Sequence, residues 1–340
     1  MSKESMMLHV KGNQVLNAKQ EPVRLLGVNR AGLEWSANDE LILSSTAYAL
    51  DEWKCNTVRI SLSQDRWYGF GPEQRNDTEG LKYRAKFDSI VNAALAREKY
   101  IILDLHWNNC NVWGSHIGQR KMPDMNTLFF WKDAARRYRN NPAVLFNLYN
   151  EPHDITWDVW LNGGEVDEDI TDYRTGETYS VSYTTPGHQK LADAVRAEGA
   201  SNILIVSGID YGYHLDGIAQ GYVIEDKTGN GVIYDSHIYP WKDLNWDDHV
   251  SIIADKHPVM IGEFGHYGDK ANPVEGPQCL PSKEWMTRIL DWIDKKQYHF
   301  AAWNFHPSAG PCLISSFYNE PTKASGVYIK EYLLKQAKKK

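Results

Sequence analysis

Residues 84–105 read RAKFDSIVNAALAREKYIILDL. Within 84–98, Phe87, Ile90, Val91, Ala94 and Leu95 recur at intervals of three and four, the spacing that lines one face of an α-helix with apolar side chains. From Tyr100 to Leu105 that spacing gives way to a short apolar run of strand length, and only Lys99 separates the two patterns. A helix that feeds a buried strand after so short a link is one step of a β/α alternation, in which each new strand lies parallel to the last.

The same step recurs on both sides of this stretch. Strands are expected at 23–28, 57–61, 100–105, 144–149, 203–207, 232–237, 258–262 and 300–304, and amphipathic helices at 39–53, 84–98, 127–139, 187–198, 247–256, 282–295 and 327–337. Eight strands alternating with helices through right-handed crossovers predict an α/β fold, a (β/α)8 TIM barrel forming a single domain over 1–340. Residues 8–15 read as a short N-terminal β-hairpin turned at Lys11-Gly12-Asn13. An open doubly wound sheet is the rival arrangement, but its first turn would be Gly27-Val28-Asn29-Arg30-Ala31-Gly32, which matches neither a dinucleotide fingerprint nor a P-loop. The longest insertion, 154–186, follows the fourth strand, is rich in Gly, Asp, Thr and Tyr and shows no helical period. Its place makes it a loop at the C-terminal face of the barrel, either a surface decoration or a contact for substrate.

Composition narrows the function. With 42% hydrophobic residues the chain can bury a large core, and a net charge of −7 with interleaved signs offers no basic patch for nucleic acid or an anionic membrane. No apolar run approaches the ~20 residues that span a bilayer. The start, Met1-Ser2-Lys3-Glu4-Ser5-Met6-Met7, has no apolar h-region, so a cytoplasmic protein and one whose leader has been removed are both open. Four cysteines do not make a disulfide framework; a bridge between Cys279 and Cys312, each in a Pro-bearing loop, is one possibility, and Cys55 and Cys110 are expected to be free. The 13 Trp and 19 Tyr are more telling, because Trp35, Trp107, Trp113, Trp157, Trp160 and Trp241 sit beside Asn, His, Asp or Gly in loop-like stretches. Flat rings with a polar edge suit the faces of sugars.

The C-terminal ends of the expected strands carry polar residues that core packing does not require. These are Arg59 on the second, His106 and Trp107 on the third, Asn150 and Glu151 on the fourth, His237 and Tyr239 on the sixth, Glu263 on the seventh, and Trp303 and Asn304 on the eighth. In a barrel such ends converge on one mouth. Two of them, in Leu148-Tyr149-Asn150-Glu151-Pro152 and Ile261-Gly262-Glu263-Phe264-Gly265, are glutamates. A pair of carboxyl groups is what hydrolysis of a glycosidic bond requires: one protonates the leaving oxygen, and the other attacks or activates water. Taken alone, Asn-Glu-Pro fits an ordinary strand-to-helix turn equally well.

Neighbours on a regular strand face opposite ways, so Asn150 and Glu151 serve one pocket only if the strand stops there, as Pro152 suggests. Arg59, in Thr57-Val58-Arg59-Ile60, is a fixed charge inside an apolar strand and needs a buried anion, for which Glu263 is the candidate. That contact would keep Glu263 ionised, while Glu151, without a cation, keeps its proton; a purely structural ion pair is the alternative. His106 and His237 have only Asp104 and Asp235 close by, too few ligands for a metal site, and no Gly-x-Ser-x-Gly elbow supports serine catalysis. No metal and no cofactor are expected.

This set resembles glycoside hydrolase family 5, the cellulase family of retaining (β/α)8 enzymes, from the strand at 23–28 to that at 300–304. The resemblance rests on Arg59 in Thr-Val-Arg-Ile, His106 in Leu-Asp-Leu-His-Trp, Asn150 and Glu151 in Tyr-Asn-Glu-Pro, His237 and Tyr239 in Ser-His-Ile-Tyr-Pro, Glu263 in Ile-Gly-Glu-Phe-Gly and Trp303 in Ala-Trp-Asn-Phe. It implies double displacement, with Glu151 as acid/base and Glu263 as nucleophile. Arg59 and Tyr239 would hold Glu263, Asn150 would bind the sugar 2-hydroxyl, and His237 would support Glu151. His106 would touch the sugar at the −1 position, with Trp303 beneath it. Trp35, Trp107, Trp113, Trp241 and Asn304 would contact substrate further along. The implied partner is a β-linked polysaccharide or oligosaccharide, a cellulose-type or mixed-linkage β-glucan cleaved internally by a monomeric, secreted enzyme. Mannan hydrolysis, exo-action with 154–186 closing one end of the cleft, and a non-catalytic carbohydrate-binding barrel stay open. One departure is Trp53-Lys54-Cys55-Asn56, where such enzymes commonly carry Gly, so a left-handed helix cap is expected at a side chain that disfavours it.

Overall fold

The strand of the opening stretch, Tyr100–Trp107, divides its apolar side chains between two shells. Ile101, Leu103 and Leu105 pack outward with the helices, and Tyr100 and Ile102 pack inward, as the two-residue period of a strand requires. In this computed structural model, which describes residues 6–38, 40–171, 176–268 and 280–339, five of the seven other barrel strands divide their apolar side chains in the same way. Along the chain, β1 (His9–Lys11) and β2 (Gln14–Leu16) form the N-terminal hairpin, followed by β3 (Leu26–Arg30), β4 (Thr57–Ser63), β5 (Tyr100–Trp107) and β6 (Val144–Asn147). An antiparallel pair, β7 (Gly164–Thr171) and β8 (Thr178–Thr185), comes before β9 (Leu204–Ser207), β10 (Val232–Ile238), β11 (Val259–Phe264) and β12 (His299–Ala302). The strands β3, β4, β5, β6, β9, β10, β11 and β12 close in that order into a parallel barrel. With the helices Ile42–Asp51, Leu81–Leu95, Thr127–Tyr138, Gly187–Ala197, Ser282–Lys296 and Gly326–Ala337 in the segments between and after them, this is a (β/α)8 TIM barrel.

The hairpin closes the N-terminal end. Lys11 pairs with Gln14 across Gly12, whose φ of 60° a side chain would resist, and Met6, Leu8 and Val15 pack onto inward-facing Ile102, Leu145, Ile205, Ile233 and Met260. The chemistry is thereby left to the other end. Among the described residues, no helix is long and apolar enough to cross a membrane.

The structure departs from the sequence reading in places. The segment 154–186 is not a featureless loop: it holds the helix Trp157–Asn162 and the β7–β8 hairpin. The strand alternation was there in Val166, Glu168 and Ile170, which face inward, but a buried glutamate in the middle interrupts the apolar pattern; Glu168 is held by Arg120 at 3.4 Å. The helix expected at 247–256 is broken into Trp246–His249 and a short 3-10 turn, Ser251–Ile253. Trp160 is fully buried and donates its indole N–H to the Ser207 carbonyl at 2.9 Å, so it belongs to the core. Lys54 does adopt the left-handed conformation, with φ 60°. Cys55 and Cys110 are free and buried, and Cys279, one end of the possible bridge, lies outside the described residues.

Candidate active site

One pleat above the apolar layer, the inward face turns polar: Asn29, Arg59, Asp104, Asn147, Ser207 and Asp235 are all fully buried. The fork of five guanidinium donors accounts for Asn29, Asp104 and Asn147, while Ser207 donates to Asp235 at 3.2 Å. Arg59 Nε donates to Asn147 Oδ1 at 2.8 Å, one Nη to Asn29 Oδ1 at 2.9 Å and to Glu263 Oε1 at 2.8 Å, and the other to Asn150 Oδ1 at 2.7 Å. That last nitrogen also lies 3.0 Å from Asp104 Oδ1, a close charge contact without the alignment of a hydrogen bond. The anion expected for Arg59 is therefore a pair of carboxylates, Glu263 and Asp104.

Two local features bring the second carboxylate into place. The β10–β11 ladder slips after Ser236, so that Ser236 faces Ile261 but His237 faces Glu263, and this irregularity sets the two functional side chains side by side. Gly262 leaves room below them, since a Cβ there would lie 2.2 Å from Asp235 Oδ1. Tyr239 donates its hydroxyl to Glu263 Oε2 at 2.8 Å. His237 stands between the carboxyls, its Nδ1 2.8 Å from Glu151 Oε1 and 3.6 Å from Glu263 Oε2, and its Nε2 3.1 Å from Asp235 Oδ2. One oxygen each of Glu151 and Glu263 and a nitrogen of His237 all fall within 4.8 Å of one another. His106 Nδ1 is 2.6 Å from Asp104 and its Nε2 3.2 Å from Asn150 Nδ2, and its ring lies parallel to Trp303 with centroids 5.6 Å apart.

The charges do not follow the order that Arg59 alone predicts. Burial favours the neutral acid at both glutamates, but at Glu151 the hydrogen bond and charge of His237, with the Gln119 amide, reverse this and bring the pKa down to about 2. Glu263 ends up raised, because burial and the charge of Glu151 outweigh His237 and Arg59, whose charge is shared with Asp104. Burial would strip His237 of its proton, yet Glu263, Asp235 and Glu151 push it up to about 10. These opposite directions make His237 the more basic partner of the 2.8 Å contact with Glu151.

The model of the cellulase family, glycosyl hydrolase family 5, matches residues 16–309, most of the chain. The chain belongs to glycosyl hydrolase family 5. It is 22% identical over 343 residues to an endoglucanase of Microbulbifer sp., which covers 95% of this chain but only 57% of that enzyme, and 23% identical to an endoglucanase of Paenibacillus polymyxa, covering 89% and 80%. The crystal structure of a β-glucanase from Saccharophagus degradans superposes with a TM-score of 0.75 at 22% identity, over 97% of this chain and 93% of the other.

In this family 5 hydrolase the glutamates open into a cavity of about 340 Å³ lined by His106, Tyr239, Trp241 and Trp303. A second, of about 1030 Å³, runs from Glu151 past Trp107 to the β7–β8 hairpin. Trp241 stacks on Tyr239 with centroids 4.6 Å apart and Trp35 packs with Ala31, Tyr239 and Trp303, so both border the site. Trp113 does not: one face is taken by Phe70, stacked at 5.1 Å, and Tyr68 meets it edge-on. Asn304 is also turned away from the cavity, buried and accepting the Ala31 N–H at 3.1 Å. Aromatic rings serve cores and sugars alike, so sequence could not separate these cases.

Sequence reasoning passed over Gln119 and Tyr211, which line both cavities, and weighed the buried Asp235 under His237 only as a metal ligand. None of them lies in a motif, though Asp235 stands two residues before His237 on the same strand face, the one signal that was available. Glu151, His237 and Glu263 are close enough to share a metal ion.

Proposed function

We propose that the chain is a retaining endo-β-glucanase that cleaves β-1,4-glucosidic bonds in cellulose-type or mixed-linkage glucans. The approach of the Glu151 and Glu263 oxygens to within 4.8 Å carries this reading. Inverting enzymes hold their carboxyls roughly 6.5–9.5 Å apart to seat a water, and retaining ones about 5–5.5 Å, close enough for the second carboxylate to attack carbon directly.

In the first step Glu263 attacks the anomeric carbon, the bond to the leaving oxygen breaks, and that oxygen takes a proton from Glu151. Glu151 first receives that proton from His237 along their 2.8 Å contact, so the step leaves Glu151 ionised and His237 neutral and still bound to Asp235. In the second step Glu151 takes a proton from water as the water attacks the same carbon, freeing Glu263 and restoring the configuration. Arg59 and Tyr239 stabilise the charge that returns to Glu263 on release. Two cavities that meet at Glu151 supply sugar sites on both sides of the cleaved bond, which favours internal cleavage. The Saccharophagus degradans β-glucanase, which shares the fold, has been crystallised with cellotetraose.

Reducing-sugar release from carboxymethylcellulose, lichenan, mannan and xyloglucan, with NMR of the first anomer formed, tests the reading. Cleavage of the first two with β-anomer released first is expected. Initial α-anomer would overturn retention, cleavage of mannan alone would overturn the glucan assignment, and binding without cleavage would overturn the enzyme.

A further inference from the structure

Both carboxylate oxygens of Glu151 are engaged. His237 lies 2.8 Å from Oε1, and the side-chain amide of Gln119 donates to Oε2 at 2.5 Å. The other end of that amide, Oε1, accepts from Asn150 Nδ2 at 3.4 Å. A single side chain therefore bridges two sequence neighbours that a regular strand would have pointed apart.

The backbone beside Gln119 is pinned on both flanks. Gly118 exchanges two hydrogen bonds with Asn108, just past the end of β5, each 3.0 Å long. Arg120 N–H donates to the Tyr149 hydroxyl at 3.1 Å, and that hydroxyl donates to the Arg120 carbonyl at 2.8 Å. The loop is thus tied at one side to the chain that carries His106 and at the other to the residue before Asn150. Such bracing delivers a side chain to one place. Gln119 also lines both cavities, where a substrate crossing the site must pass it.

We propose that Gln119 is a positioning residue for the acid, holding the Glu151 carboxyl against Asn150 and favouring its charged form until the leaving-group oxygen arrives. This rests on Glu151 being the acid. The titratable and charged groups around Glu151 are His237 from β10, with Asp235 behind it, Glu263 from β11, His106 from β5, and the hydroxyls of Tyr211 and Tyr239. Arg59 stands one contact further off, on Glu263 and Asn150, and His153 bonds the Glu151 carbonyl instead of the carboxyl. Within this set His237 and Gln119 are the groups that bond the carboxyl itself.

Gln119→Met keeps the length and removes the amide, and Gln119→Glu replaces it with a like charge. Loss of a donor to a carboxylate raises its proton affinity. Because His237 is the more basic partner, Glu151 is charged on both sides of the basic limb of the kcat/KM profile, so that limb is expected to stay in place in Gln119→Met and to move up in Gln119→Glu, whose added charge holds the proton on His237. Turnover of unactivated cello-oligosaccharides should fall roughly 10-fold, and that of dinitrophenyl cellobioside, which needs no proton, much less. Gln119 is only half buried, so both variants are expected to keep the wild-type circular dichroism. Equal losses on both substrates in Gln119→Met overturn the proposal. Glu151→Ala is the control: it should slow the unactivated substrates far more than the activated one, and equal loss on both there overturns the acid assignment itself, and this inference with it.

Discussion

At the N-terminal end of the barrel, Ile102, Leu145, Ile205 and Ile233 pack inward against Met6, Leu8 and Val15; two residues further along the same strands stand Asp104, Asn147, Ser207 and Asp235. The inward face is the same and only the pleat has advanced. Below, burial is repaid by transfer out of water alone, whereas above, every buried charge needs a partner, and Arg59 and His237 supply them. Stability and chemistry are therefore held in adjacent layers of the same four strands.

Two histidines carry the contrast into pH. His299 opens β12 near the closed end, and its Nδ1 accepts the Leu25 N–H at 3.0 Å, so it must be neutral; burial, helped by the charge of Arg24, pushes its pKa down to about 3. His237, at the mouth, is pushed up to about 10.

Breaking the upper layer should show the largest effect. Glu263→Ala is expected to lower kcat by on the order of 10⁴ while circular dichroism stays native, and azide should restore turnover of an activated substrate as a glycosyl azide of inverted configuration. Failure of rescue with any activated substrate would count against Glu263 as the nucleophile. In the lower layer the outcome should reverse. Ile205→Ala is expected to cost about 2–5 kcal/mol in urea unfolding and to leave kcat within roughly threefold. A large loss of kcat in a folded Ile205→Ala enzyme would show that the layers are coupled.

The histidines sharpen the comparison by sign. Unfolded His299 binds a proton below about pH 6.5 and the folded residue only near pH 3, so its contribution is complete above pH 6.5 and is lost as pH falls toward 3, by about 1.4 kcal/mol per pH unit at most. His237 holds its proton more tightly when folded; its contribution is complete below about pH 6.5 and is lost as pH rises through about 10. Acid should loosen the floor and alkali the mouth. His299→Gln, which can still accept the Leu25 N–H, should flatten the decline of stability between pH 6.5 and 4; an unchanged slope places the acid sensitivity elsewhere. The smallest effect is expected at Lys54, outside both layers, where φ is 60°. Lys54→Gly should raise stability by roughly 0.5–1 kcal/mol, read from the thermal midpoint, with activity unchanged.

The barrel was legible because each strand and helix announces itself through a local period, and the glutamates because each ends an apolar run at Pro152 or just short of Gly265. The β7–β8 hairpin was not, because Glu168 occupies an inward position that an apolar side chain would have marked, and its partner Arg120 lies 48 residues away. Trp113 and Trp160 looked like sugar platforms for want of any local sign of what covers them.

Local chemistry, then, determined the eight β/α units, the two carboxyls at strand ends and the need of Arg59 for a buried anion. Only the closed barrel decided that Asp104 shares that anion's place, that His237 stands opposite Glu263, that Asp235 fits over Gly262 and that Gln119 reaches Glu151. Those contacts join residues far apart in the chain, and which of them meet is set by strand register and barrel closure, which no short stretch of sequence contains.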